Sequence, residues 1–149
     1  MLRKAPAALL LMAALLPACG TATPQEPRLV EIDTAFQLPV GGSAQLRGSD
    51  LRVGFDAVVR DSRCPKGVQC VWAGEAVVRV WLQRASASRQ SLEMRLPVDG
   101  EASAQGQPLR LIRLEPLPVG GKTIATADYV LTLLIQASNL STKEDLADK

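Results

Sequence analysis

From residue 36 to residue 136 apolar and polar positions alternate with a period of two, interrupted at short intervals by glycine and proline. Such a pattern describes half-buried β-strands separated by turns. The run 51–59, LRVGFDAVV, is the clearest: Leu51, Val53, Phe55, Ala57 and Val59 share one face, and Arg52, Gly54 and Asp56 take the other. In 76–83, AVVRVWLQ, Ala76, Val78, Val80 and Leu82 oppose Val77, Arg79 and Trp81. Bulk on both faces predicts a strand inside a sheet. Further strands are predicted at 36–38, 44–46, 91–96, 109–115 and 129–136, the last with Tyr129, Leu131, Leu133 and Ile135 on one side. Leucines in 131–137 permit a helix, but Thr132, Ile135, Tyr129 and Val130 favour the strand. PVGG at 39–42 and again at 118–121 reads as a turn, and the polar stretch 99–108 as a surface loop. About seven strands at this spacing predict an all-β fold, a small antiparallel β-sandwich or barrel.

The ends read differently. Residues 1–20, MLRKAPAALLLMAALLPACG, combine a basic start at Arg3 and Lys4 with an apolar run and then Leu16, Pro17, Ala18 and Cys19. The run is shorter than the roughly 20 residues of a spanning helix and contains Pro6, which predicts an export signal. LPAC resembles the bacterial lipobox, in which cleavage leaves a lipidated cysteine as the first residue. That resemblance implies a leader over 1–18 and a lipidated Cys19; the polar, Pro-containing stretch makes 19–28 a tether, and the alternating pattern makes 29–138 a β domain. The polar tail 139–149 contains STKE, a capping box that predicts a short helix. Gly20, where a retention signal resembles Asp, implies transport to the outer membrane, with the acylated protein held there facing the periplasm. An ordinary secreted protein cut near Ala18 is the alternative.

Composition narrows the chemistry. A chain of 149 residues suits one small domain. It contains no His, which excludes His-ligated zinc, imidazole acid–base chemistry and a Ser-His-Asp triad. Lys and Arg number 17 against 15 Asp and Glu, and loss of Arg3 and Lys4 with the leader leaves 15 against 15. A side-chain charge near zero carries no signal for nucleic acid. No cofactor is predicted. The expected partners are the membrane, through the anchor, and an envelope protein.

Candidate chemistry concentrates in 61–78, DSRCPKGVQCVWAGEAVV. Once Cys19 is set aside, Cys64 and Cys70 are the two cysteines left, and an exported chain most simply pairs them. Their C-x5-C spacing is not that of a C-x-x-C redox centre, and the closed loop is worth roughly 2.4 kcal/mol as a staple. Inside it Pro65 stiffens the chain and Gly67 lets it turn. Asp61 and Ser62 are placed to accept backbone N–H groups at a strand exit. Trp72 is placed to cover the disulfide, and Gly74 permits a bulge or a positive φ. Asp61 and Glu75 have two readings. Pairing with Arg60, Arg63 or Lys66 makes them a structural clamp, and this reading is preferred. Convergence would make them a site for a hard cation such as calcium, or an acid–base pair. No residue is assigned as catalytic.

The loop of Arg63, Pro65, Lys66, Gly67, Val68 and Gln69 is the candidate binding surface, because a disulfide-held loop loses little entropy on binding. Trp81 is read as a core or inter-sheet residue, with a ligand-stacking platform as the alternative. PVGGK at 118–122 lacks the spacing of a phosphate loop.

The succession DSRCP then GVQCVWAGEA resembles the signature of a family of short, largely uncharacterised bacterial exported proteins and lipoproteins. The resemblance extends more weakly through 51–59 and towards Asp128 and Tyr129. It implies a small all-β domain and brings no activity. These features together predict a membrane-tethered binding or assembly module of the cell envelope. The alternatives are a protease-inhibitor-like module, or a carboxylate-based enzyme or cation-binding protein using Asp61 and Glu75.

Overall fold

The computed structural model describes residues 28–97 and 100–138. The predicted leader, Cys19, the tether up to residue 27 and the tail over 139–149 lie outside the described residues. Nine strands follow in chain order: β1 (Arg28–Val30), β2 (Phe36–Pro39), β3 (Ser43–Leu46), β4 (Leu51–Asp61), β5 (Ala76–Arg84), β6 (Gln90–Leu96), β7 (Glu101–Ala104), β8 (Gln107–Glu115) and β9 (Val130–Ile135). They form two sheets, a five-stranded one in the order β1-β3-β4-β5-β6 and a four-stranded one in the order β2-β9-β8-β7. Every pair is antiparallel except β1 with β3. Two separate sheets make a sandwich; no closed barrel forms among the described residues.

Alternation explains the core. Val53, Phe55, Val80 and Leu82 from one sheet meet Leu109, Leu111, Leu131 and Leu133 from the other, all of them buried. Each such side chain contributes about 1.5–3 kcal/mol on leaving water. As predicted, β5 lies inside its sheet, between β4 and β6.

Two of the nine strands fall outside the predicted seven. Arg28, the last residue of the predicted tether, begins β1 and pairs with Ala44. The predicted loop over 99–108 is instead largely the β7–β8 hairpin, closed by Gln105 and Gly106 at φ 53° and 71°. Positive φ at both positions is the type I′ turn that matches strand twist. The apolar residue buried just before it is only an alanine, Ala104, so its periodicity was faint.

Strand β4 also departs from simple alternation. Register shifts between Phe55 and Ala57 and between Val58 and Arg60 insert two extra residues opposite β5. Val58 therefore packs against the core while Val59, expected inside, is exposed. The second shift restores the original face, and Asp61 ends the strand opposite the inward-facing Ala76. A similar shift in β8, between Leu111 and Arg113, turns Leu114 inward and leaves Arg113 outward. Bulges of this kind re-aim side chains at the rims of sheets.

Candidate functional site

Strand β4 ends, β5 begins, β8 ends and β9 begins at one end of the sandwich, here called the disulfide pole. Pairing continues there past the strands. Ser62 N donates to Glu75 O (2.8 Å), and Cys64 N donates to Ala73 O (2.9 Å). The Ser62 hydroxyl donates to Glu75 O (3.0 Å) and accepts from Glu75 N (3.2 Å). Between these rungs Gly74 has φ 70°, and a Cβ on it would lie 1.8 Å from Ser62 O. Only glycine fits that combination of backbone conformation and close approach.

The tight return aims Arg63 back into the sandwich. Its Nε donates to Asp61 Oδ1 (2.8 Å) and its Nη2 to Asp61 Oδ2 (2.6 Å), a bidentate pair. Nη1 donates to Leu114 O (2.5 Å) and Nη2 also to Pro116 O (2.9 Å). Tyr129 Oη donates to Asp61 Oδ2 (3.0 Å). The cluster thus ties β4 to the ends of β8 and β9 across the two sheets. Arg63 and Asp61 expose 11% and 8% of their side chains. Burial pushes the Asp61 carboxyl upward, but hydrogen bonds and charge from Arg63, with the Tyr129 bond, outweigh it and leave the pKa lowered. The Tyr129 phenol is raised, by burial first and then by Asp61. Neither direction suits acid–base work near neutrality, which needs a carboxyl raised or a phenol lowered.

Glu75 is held elsewhere, by an ion pair with Arg60, and the two side chains are 28% and 60% exposed. The two carboxylates therefore do not converge: each is committed to its own arginine. Among the described residues no group of three or more His, Cys, Asp or Glu is arranged to hold a metal ion.

No family model, curated protein or solved structure matches the chain.

Cys64 and Cys70 form a disulfide, with Cα atoms 5.9 Å apart. The loop is fastened at a second point. Lys66 pairs with Val119 in a parallel bridge, with Lys66 N donating to Pro118 O (2.8 Å) and Gly120 N donating to Lys66 O (3.4 Å). A Cβ on Gly120 would lie 2.9 Å from Val68 Cγ2, so the second PVGG is the seat of the disulfide loop. Pro65 is half-buried, Lys66, Val68 and Gln69 are exposed, and Gly67 turns the tip at φ 80°.

Three expectations change. Arg63 belongs to the half-buried cluster at the base and not to the exposed loop. Trp72 does not cover the disulfide: it is 82% exposed, and its neighbour Val71 is 90% exposed. Trp81 is buried, but on the outer face of β5 and apart from the inter-sheet core. It lies over Gly54, where a Cβ would come within 2.2 Å of the ring, and the Arg89 guanidinium stacks 4.0 Å from a ring centroid. Sequence reading also missed Val71, and it brought Tyr129 to Asp61 only under the enzyme alternative, with no structural part. The WAGEA stretch draws attention to Trp72 but says nothing of its exposure, and Tyr129 lies 68 residues from Asp61.

Proposed function

We propose that this protein is a lipid-tethered binding or assembly module of the bacterial envelope, held on the outer membrane through Cys19 and facing the periplasm, whose working surface is the disulfide pole. The family resemblance and the lipobox support the location. The observation that carries the working surface is the exposure of Val71 and Trp72 on a loop fastened by a disulfide and by the Lys66–Val119 bridge. A large aromatic held in water on a rigid loop is the usual form of an interaction anchor. No helix among the described residues is long and apolar enough to cross a membrane; the attachment proposed is through the acyl chains on Cys19.

The protease-inhibitor-like alternative is weaker, because the backbone N–H and C=O of Lys66 are already engaged by Pro118 and Gly120. The reading as a carboxylate enzyme or cation site is weaker because Asp61 and Glu75 are each held by an arginine.

Two measurements test the proposal. Intact mass of envelope-purified protein should show acylation at Cys19, and Cys19→Ser should release the protein to the soluble periplasm. A photo-crosslinking amino acid at position 72 should give adducts in intact envelopes, whereas the same group at Ser86, on the far turn after β5, should not. Equal labelling at the two positions would defeat the assignment of the pole.

A further inference from the structure

We infer that the surface recognised by the disulfide pole is the lipid bilayer that holds the anchor, with Val71 and Trp72 seated among its headgroups. This deepens the proposed function and rests on its anchor at Cys19. Five of the nine exposed large hydrophobic residues in the described chain, Val68, Val71, Trp72, Leu117 and Val119, project from the two loops that the Lys66–Val119 bridge joins. They stand on loop tips, and tryptophan, with its apolar body and polar N–H, is enriched at the membrane–water boundary.

Charge at the pole agrees. Arg60, Arg63 and Arg113 are matched by Glu75, Asp61 and Glu115. Lys66 and Lys122, on the same two loops, are exposed and join no ion pair among the described residues. The exposed acid nearby is Asp128, in the 3-10 turn before β9. Two unneutralised lysines beside an apolar tip complement anionic headgroups.

Direction of the chain supplies an independent reason. Strand β4 runs towards the pole, β3 runs against it, and β1 lies parallel to β3, so the chain enters β1 from the side of the pole. Arg28 lies in the row of Ala44, Val53 and Leu82, six β5 residues from the Ala76–Asp61 row. At strand rise that is about 20 Å. The nine-residue step from Cys19 to Arg28 reaches up to about 30 Å. That reach exceeds the distance to the Ala76–Asp61 row, so a lipidated Cys19 can lie on the side of the pole. Strand β9 runs the other way and carries the C-terminal side of the domain away from that plane. Tethering also raises the local concentration of bilayer at the pole, so a contact too weak to hold free protein is populated in the anchored one.

The test uses the full chain purified with its acyl groups and reconstituted into vesicles of phosphatidylethanolamine and phosphatidylglycerol with brominated acyl chains. Trp72 emission is read as the difference between the wild type and Trp72→Phe, which alters an exposed side chain and leaves the covered Trp81 as internal reference. The expected result is a blue shift and strong quenching of the Trp72 component, with Trp81 unaffected. The Cys19→Ser chain should show the same quenching only at much higher lipid concentration. Trp72 left unquenched in both forms overturns the inference. Adducts from position 72 that contain protein and no lipid also overturn it, and leave the pole as a protein-binding surface. A chain without acyl mass whose Trp72 is still quenched at high lipid defeats the anchor but supports the lipid-facing pole.

Discussion

The base and the tip of the 61–78 segment are built from the same short stretch of chain and treat water in opposite ways. At the base, Asp61, Arg63 and Gly74 are enclosed, bonded to one another or pressed against backbone, and linked to Tyr129 and to the end of β8. At the tip, Lys66, Val68, Val71 and Trp72 are exposed, although Trp81 shows that this fold can cover a tryptophan. The base is an investment in rigidity. The tip gains little for folding from Val71 and Trp72, and a rigid support is what gives exposed apolar groups a fixed position for a partner.

Substitutions should therefore separate the two regions. The largest effect of a single substitution is expected for Arg63→Ala, which leaves Asp61 without its cation and Leu114 O without a donor. Chemical denaturation should show a loss of about 3 kcal/mol, the low end for a broken buried pair because the cluster lies at the open end of the sandwich. A loss below about 0.5 kcal/mol would mean that the base behaves like any surface ion pair.

Replacing Cys64 and Cys70 together by Ser should cost roughly 2–4 kcal/mol with the β-rich circular dichroism spectrum retained. Because the Lys66–Val119 bridge remains, the tip should stay in place at low temperature. Collapse of the β spectrum at low temperature would show that the base depends on the disulfide for more than stability.

The pH dependence reads the base from its two titrating groups. The folded Asp61 carboxyl titrates below its unfolded counterpart, so its contribution is complete above about pH 4 and is lost as pH falls through the folded value. Asp61→Asn should flatten the acid limb of stability and leave the slope between pH 5 and pH 8 unchanged. Tyr129 works in the opposite sense. Its raised pKa gives a contribution that is present below about pH 10 and lost as pH rises, so Tyr129→Phe should flatten the alkaline limb. At neutral pH that substitution should cost about 1.5 kcal/mol, the low end for one hydrogen bond to a carboxylate.

Glu75→Gln is expected to cost less than about 1 kcal/mol, since its partner Arg60 is mostly in water. Addition of calcium should not raise the melting temperature. A large saturable rise that Glu75→Gln abolishes would show a cation site and undo the division into clamp and tip.

The smallest expected effects on folding come from the tip. Trp72→Ala, and Lys66→Ala with Gln69→Ala, should change stability by no more than about 0.5 kcal/mol. Lys66→Ala with Gln69→Ala should lose most of the position-72 crosslinking, and Trp72→Ala in the Cys19→Ser chain should lose most of its binding to vesicles, since interface energy concentrates in a few exposed anchors. A tip variant that unfolds the protein would erase the contrast between the regions.

Alternation by itself was enough for the β class, the inward faces of β5 and β9, and the interior place of β5, because each follows from a two-residue repeat within one strand. The Cys64–Cys70 pairing was legible for a similar reason: the two cysteines lie close in sequence, behind a segment that reads as an export signal. Tertiary structure decided the rest of the site. Val58 rather than Val59 faces the core because the bulges in β4 are defined only against β5. Arg63 left the predicted loop for the interior because its acceptors, Leu114 O and Pro116 O, lie more than 50 residues away. Tyr129 joined Asp61 by the same long-range closure. The two tryptophans make the point most sharply: residue type predicts burial for both, but Trp81 finds a glycine opposite and an arginine above, and Trp72 finds no cover. Periodicity reports the face on which a residue stands. Whether anything covers that face depends on which distant strands and loops are packed beside it.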